Sequence, residues 1–208
     1  MKRFLLLFLA TVVTAWSASA QLSVSQLRTE HLTDPVGIGE RRPLLSWEVS
    51  DASRRGVTQS AYEIRVKSGG RTVWRTGKVA SAESAGVFYD GTPLTSDTRY
   101  TWQVRVWDDR GKASAWSRPA FWRTGLFDVG EWQARWIEPA VSDDLAAMFR
   151  RTFRVTKPVA EATVYVTAHG IYEASVNGHR VSDDLLTPGW TAYKKRLQYQ
   201  AYDITPLV

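Results

Sequence analysis

The chain has 208 residues, no cysteine and a formal charge of +6. Without thiols it can hold no disulfide, zinc finger, iron–sulfur cluster or cysteine nucleophile. Its 27 basic residues are interleaved with 21 acidic ones and form no stripe along the chain, which argues against nucleic-acid binding.

Residues 1–20 read as an export signal. Lys2-Arg3 is a basic n-region, residues 4–13 are a short apolar run, and Ala18-Ser19-Ala20 is an A-x-A cleavage site, so the mature chain is expected to begin at Gln21. The apolar run falls well short of the roughly 20 residues that span a bilayer, so no membrane anchor is expected after cleavage. The protein is expected to be secreted or periplasmic.

From residue 21 to 126 the pattern is all β. Short alternating runs at 24–30, 44–49, 61–67, 72–77, 86–89, 100–107 and 120–123 are separated by Gly, Pro, Asp and Ser clusters. Seven strands in about 100 residues predict a sandwich of the immunoglobulin or fibronectin kind. Tyr100, Trp102, Val104 and Val106 share one face, as do Tyr62, Ile64 and Val66; the opposite faces, including Glu63, Arg65 and Lys67, are expected in water. Trp47 is a candidate core plug. Leu94 followed by Tyr100 fits a tyrosine corner, in which a buried ring ties the preceding loop through its hydroxyl. Ser114-Ala115-Trp116-Ser117 resembles half of the tryptophan–serine box of cytokine-receptor fibronectin domains, which braces the sandwich edge. Together these features resemble a fibronectin type III domain.

Residues 127–141 read as a linker. Its Trp132 and Trp136 are expected to wedge two domains together, because large rings are costly to expose. A second β domain is expected over 142–208, with strands at 149–155, 162–168 and 172–176. Asn177-Gly178 then predicts a hairpin, since both residues tolerate the positive φ of a type I′ turn. The loop Thr187-Pro188-Gly189-Trp190-Thr191 follows, and alternation resumes at Leu197, Tyr199 and Ala201.

The runs F-R-R-T-F (149–153) and G-I-Y-E-A-S-V-N-G-H-R-V-S-D-D-L-L-T-P-G-W-T-A-Y-K-K-R-L-Q-Y-Q-A-Y-D-I-T (170–205) resemble the N-terminal region of bacterial α-L-rhamnosidases. R-P-L-L-S-W (42–47) and Y-T-W-Q-V-R-V-W-D (100–108) resemble the fibronectin-like domain that precedes it, and W-x-A-x-W-I (132–137) resembles the join. The resemblance implies an inverting hydrolase of terminal α-L-rhamnose, with paired glutamates on a C-terminal barrel of helical hairpins. It implies that the region after 142 is part of a jelly-roll-like sandwich, here incomplete, and that this chain is a non-catalytic fragment. Its expected partners are the C-terminal catalytic domain and rhamnose-containing glycosides or polysaccharides. A stand-alone carbohydrate-binding or adhesion module of two β domains is the alternative.

The residues themselves offer no catalytic constellation. Asp108-Asp109, Asp143-Asp144 and Asp183-Asp184 are adjacent pairs, whose side chains point apart on a strand. Asp108-Asp109 reads as a turn. His31, His169 and His179 have no metal or triad spacing. Sugar sites combine a ring face with planar polar groups, and sometimes calcium on oxygen ligands; some members of the resembled family use this domain as a calcium-assisted rhamnose module. The substrate-binding candidates are Glu173, Asn177, Asp183, Asp184 and Trp190. Asn177 also serves the hairpin turn, Asp183-Asp184 read more simply as loop solvation, and Trp190 could stack on sugar or plug the sandwich.

Overall fold

The computed structural model describes residues 22–140 and 146–208, so the expected export signal and Asp143-Asp144 lie outside the described residues. Eight strands build the first domain: β1 (Ser23–Thr29), β2 (Val36–Ile38), β3 (Leu44–Ser50), β4 (Gln59–Ser68), β5 (Arg71–Arg75), β6 (Val87–Phe88), β7 (Arg99–Asp108) and β8 (Ala120–Thr124). The alternation predicts all but β2, whose three residues with a central glycine are too short to show a period. One sheet has the order β1-β3-β6; the other runs β2-β8-β7-β4-β5. β2 runs parallel to β8, and the other pairings are antiparallel.

The period-two pattern decides the core. Tyr100, Trp102, Val104 and Val106 of β7 are buried beside Tyr62, Ile64 and Val66 of β4, and Leu45 and Trp47 of β3 close over them. Each such side chain contributes about 1.5–3 kcal/mol by leaving water. The Trp47 indole Nε1 donates to Gln59 Oε1 at 3.0 Å, so its polar tip is satisfied inside. The tyrosine corner forms: the Tyr100 hydroxyl accepts from the Thr95 N–H at 3.0 Å. The serines of the 114–117 motif brace β7. Ser117 Oγ accepts from Val104 N–H at 3.1 Å and Ser114 Oγ from Val106 N–H at 3.0 Å. Asp108 forms the expected turn, its Oδ1 accepting from the N–H groups of Arg110 and Lys112.

The outer face of β4 departs from expectation at Glu63. This side chain is only 4% exposed, although it points away from the core. Arg75 from β5 and Arg105 from β7 fold over it, donating to its two oxygens at 2.6 and 2.8 Å. Paired cations, not water, occupy the space above the carboxylate.

The second domain contains β9 (Thr163–Val166), β10 (Ser175–Val176), β11 (His179–Arg180) and β12 (Gln200–Asp203). β9 and β12 pair antiparallel with Tyr165 opposite Ala201. β10 and β11 form the expected hairpin, with Asn177 and Gly178 at φ +51° and +82°. The strand expected at 149–155 does not form; no described strand lies beside it to take its backbone hydrogen bonds. Phe149 and Phe153 are accordingly more than half exposed. All four residues of β9 are half-buried, as a two-stranded ribbon without a full covering layer requires.

Candidate functional site

The second domain is held to the first by a polar seam. Arg123 of β8 donates from Nε to Asp97 Oδ1 at 2.8 Å and from a terminal nitrogen to Glu161 Oε2 at 2.7 Å. The Tyr165 hydroxyl of β9 donates to the same Asp97 oxygen at 2.6 Å. Burial pushes the Tyr165 phenol up, and the neighbouring Asp97 carboxylate pushes it further, so it stays a donor. Beside this seam β2 meets β12: a side chain at Gly37, already at φ +87°, would press on the Ala201 methyl group. Trp132 packs against Tyr199 with ring centres 5.7 Å apart, as a domain wedge should. Trp136 only partly serves that role; it is 62% exposed and contacts His169 instead.

The five candidate residues are not brought together into one pocket. Glu173 is exposed and pairs with Arg180 at 3.6 Å across the hairpin. Asn177 sits in the turn, and its Nδ2 donates to the Leu207 carbonyl at 2.7 Å. Asp183 and Asp184 are exposed in the following loop. Asp184 faces the Tyr202 hydroxyl, which also lies 3.3 Å from that of Tyr172. Burial, with Tyr172 and Asp184 beside it, pushes the Tyr202 phenol up.

Trp190 is 94% exposed, so it plugs nothing among the described residues. The loop that carries it is nevertheless anchored on both sides. Thr187 and Tyr172 exchange hydrogen bonds at 2.9 and 3.1 Å, Gln200 Nε2 donates to the Pro188 carbonyl, and Thr191 Oγ1 donates to the Arg196 carbonyl. The Thr187-Pro188 bond is cis. Trp190 continues a row of rings. Trp136 and His169 lie 4.5 Å apart, His169 and Tyr193 stack at 5.0 Å and 6°, and Tyr193 and Trp190 stack at 6.4 Å. The Tyr193 hydroxyl accepts from the Gly170 N–H at 2.9 Å, which fixes the middle of the row. His169 and Tyr193 escape the sequence reading because they lie on separate loops. Their one local signal is the spacing of Tyr193 three residues after Trp190.

Two family models match in chain order. Residues 24–128 match the Rha78A-like, N-terminal immunoglobulin domain, and residues 157–208 match the α-L-rhamnosidase N-terminal domain. The chain belongs to the α-L-rhamnosidase family, as an N-terminal region. An α-L-rhamnosidase of Formosa agariphila is 32% identical over 197 residues, covering 86% of this chain and 21% of the relative. The solved α-L-rhamnosidase of Dictyoglumus thermophilum superposes with a TM-score of 0.81 at 33% identity, covering 89% of this chain and 24% of that one. That of Streptomyces avermitilis, solved in complex with L-rhamnose, gives a TM-score of 0.55 at 33% identity, covering 90% and 21%. The chain thus spans about a fifth of the length of these rhamnosidases.

Calcium takes six to eight oxygens at close range, from carboxylates, carbonyls and water. Among the described residues no three acidic or histidine side chains converge. Glu173 is engaged by Arg180 and the Asn177 amide by Leu207. What the surface does offer is a row of rings from Trp136 through His169 and Tyr193 to Trp190, whose exposed Trp190 end is suited to stacking on a sugar.

Proposed function

We propose that this chain is the non-catalytic N-terminal part of an exported α-L-rhamnosidase. In this reading the Trp190 end of the ring row holds rhamnose-bearing glycosides, and a catalytic domain elsewhere in the same polypeptide cleaves them. The observation that carries the reading is the match of both domains, in order, to N-terminal rhamnosidase models, by a chain a fifth the length of its relatives. The L-rhamnose complex of the Streptomyces relative supports the sugar. The exposure of Trp190 on an anchored loop supports its place, since a 6-deoxy sugar offers an apolar edge that a ring can cover. Met148, Phe149, Leu185 and Leu186, all exposed, support docking of this domain against further polypeptide.

Two measurements test it. The 208-residue chain should not hydrolyse an aryl α-L-rhamnoside, and turnover would refute the non-catalytic assignment. Calorimetry should detect L-rhamnose binding that Trp190→Ala abolishes; equal heats from both proteins would remove Trp190 from the site.

A further inference from the structure

Folding gathers cations that the sequence scatters. On the outer face of the five-stranded sheet, Arg65 lies opposite Gln103 and next to Arg75, Lys67 opposite Thr101, and Glu63 opposite Arg105. Lys78 joins them from the loop after β5, its ammonium 4.8 Å from the Trp107 ring centre. The β5, β4 and β7 part of this face therefore carries Arg65, Lys67, Arg75, Lys78 and Arg105 around the carboxylate of Glu63, whereas Arg99 and Arg123 at its other end are paired with Asp97 and Glu161. The Glu63 carboxylate is consumed by Arg75 and Arg105. Among the described residues no ion pair reaches Arg65, Lys67 or Lys78.

Arg65 and Arg105 are held in place. Arg105 lies 5.0 Å from the centres of both Trp107 and Trp116, and Arg65 lies 4.2 Å from that of Trp116. Gln103 Oε1 accepts two hydrogen bonds from Arg65, at 3.1 and 2.7 Å. Beside Arg65 is a small surface dip whose lining includes Lys67, Thr101, Gln103 and Pro119. Preorganised charges of one sign around a depression attract a ligand of the other sign without paying to order the side chains. Trp107 and Trp116 each already carry two cations, so neither presents a bare ring for stacking a base or a sugar. The face offers charge.

We infer that the outer face of β4 and β7 binds an anionic polysaccharide, with an acidic substituent seated between Arg65 and Lys67. The choice of a polysaccharide over other polyanions rests on the rhamnosidase reading above; the charge complementarity does not. The surface lies on the first domain and is separate from the Trp190 ring row.

The test is titration of the 208-residue chain with heparin, polygalacturonate and neutral dextran at about 50 and about 200 mM salt. At least one anionic polysaccharide should bind and weaken steeply with salt, and dextran should not bind. Tighter heparin assigns a sulfate to the seat, and tighter polygalacturonate a carboxylate. Lys67→Glu, which disturbs no ring contact, should weaken binding about tenfold with an unchanged melting temperature. Arg28→Glu on β1 of the opposite sheet should change it less than about twofold. Absence of polyanion binding at the lower salt would overturn the inference, as would equal losses in the two variants. Tighter binding of single-stranded DNA than of either polysaccharide would overturn the choice of ligand. Lys67→Glu should leave rhamnose heats intact and Trp190→Ala should leave polyanion binding intact, so each reading fails separately.

Discussion

The hydroxyl of Tyr199 is clasped by the backbone of Leu126, accepting from its N–H at 2.8 Å and donating to its C=O at 3.1 Å. One phenol from the second domain thus satisfies both polar groups of a residue at the end of the first. Gly125 makes this approach feasible, because a Cβ there would strike the same hydroxyl. Tyr199→Phe would leave a half-buried N–H and C=O unpaired, and should cost about 1–3 kcal/mol in urea denaturation. An unchanged midpoint would show that the seam does not depend on this contact.

Arg123→Met should loosen the same seam more selectively. It removes the hydrogen bonds to Asp97 and Glu161 but keeps most of the side-chain volume. Both carboxylates are about half exposed and regain water, so the expected loss is about 1–2 kcal/mol. The signature is differential: limited proteolysis should release the second domain while the first keeps its resistance.

Glu63 predicts a pH response. Burial would raise its pKa, but hydrogen bonds and charge from Arg75 and Arg105 outweigh burial and hold it below the usual 4.5. A carboxyl with a depressed folded-state pKa stabilises the fold above its unfolded value, and that contribution disappears as pH falls through the folded value. Thermal melts should therefore show stability falling below about pH 4.5, with Glu63→Gln less stable at neutral pH and less sensitive to acid. Parallel pH curves for the two proteins would contradict this.

Ser117→Ala should be costly for a conservative change. The Ser117 hydroxyl is the acceptor for the Val104 side of the motif, and both residues are buried. Leaving that N–H unpaired should cost about 1–3 kcal/mol by denaturant melts. Serine to threonine retains the acceptor and should cost less.

Trp190→Ala should leave the melting temperature nearly unchanged, because the ring is solvent-facing and the loop is anchored by Thr187 and Thr191 instead. A large drop would mean that the ring stabilises the fold and would weaken its assignment to sugar.

The parts of this protein legible in the sequence are those governed by neighbours along the chain. Alternation in 61–67 and 100–107 set the inward faces of β4 and β7, because a strand exposes residues with a period of two whatever its partner. The tyrosine corner, the Asp108 turn and the Asn177-Gly178 hairpin depend on a few consecutive residues, and each appears as expected. The quoted motifs likewise led to the rhamnosidase family that the matches show. The strand expected at 149–155 failed for the opposite reason: alternation there is a capacity for pairing, and no described strand supplies the partner.

By itself, the sequence determined an all-β chain, the inward faces of its first sandwich, and its family. Only the tertiary structure decided where the short β2 pairs, that Glu63 is roofed by arginines from two other strands, and that His169 and Tyr193 join Trp136 to Trp190. It also decided that Arg65, Lys67, Arg75, Lys78 and Arg105 share one face. Each of these depends on residues brought together across a sheet or between loops, and neither periodicity nor propensity carries that distance information.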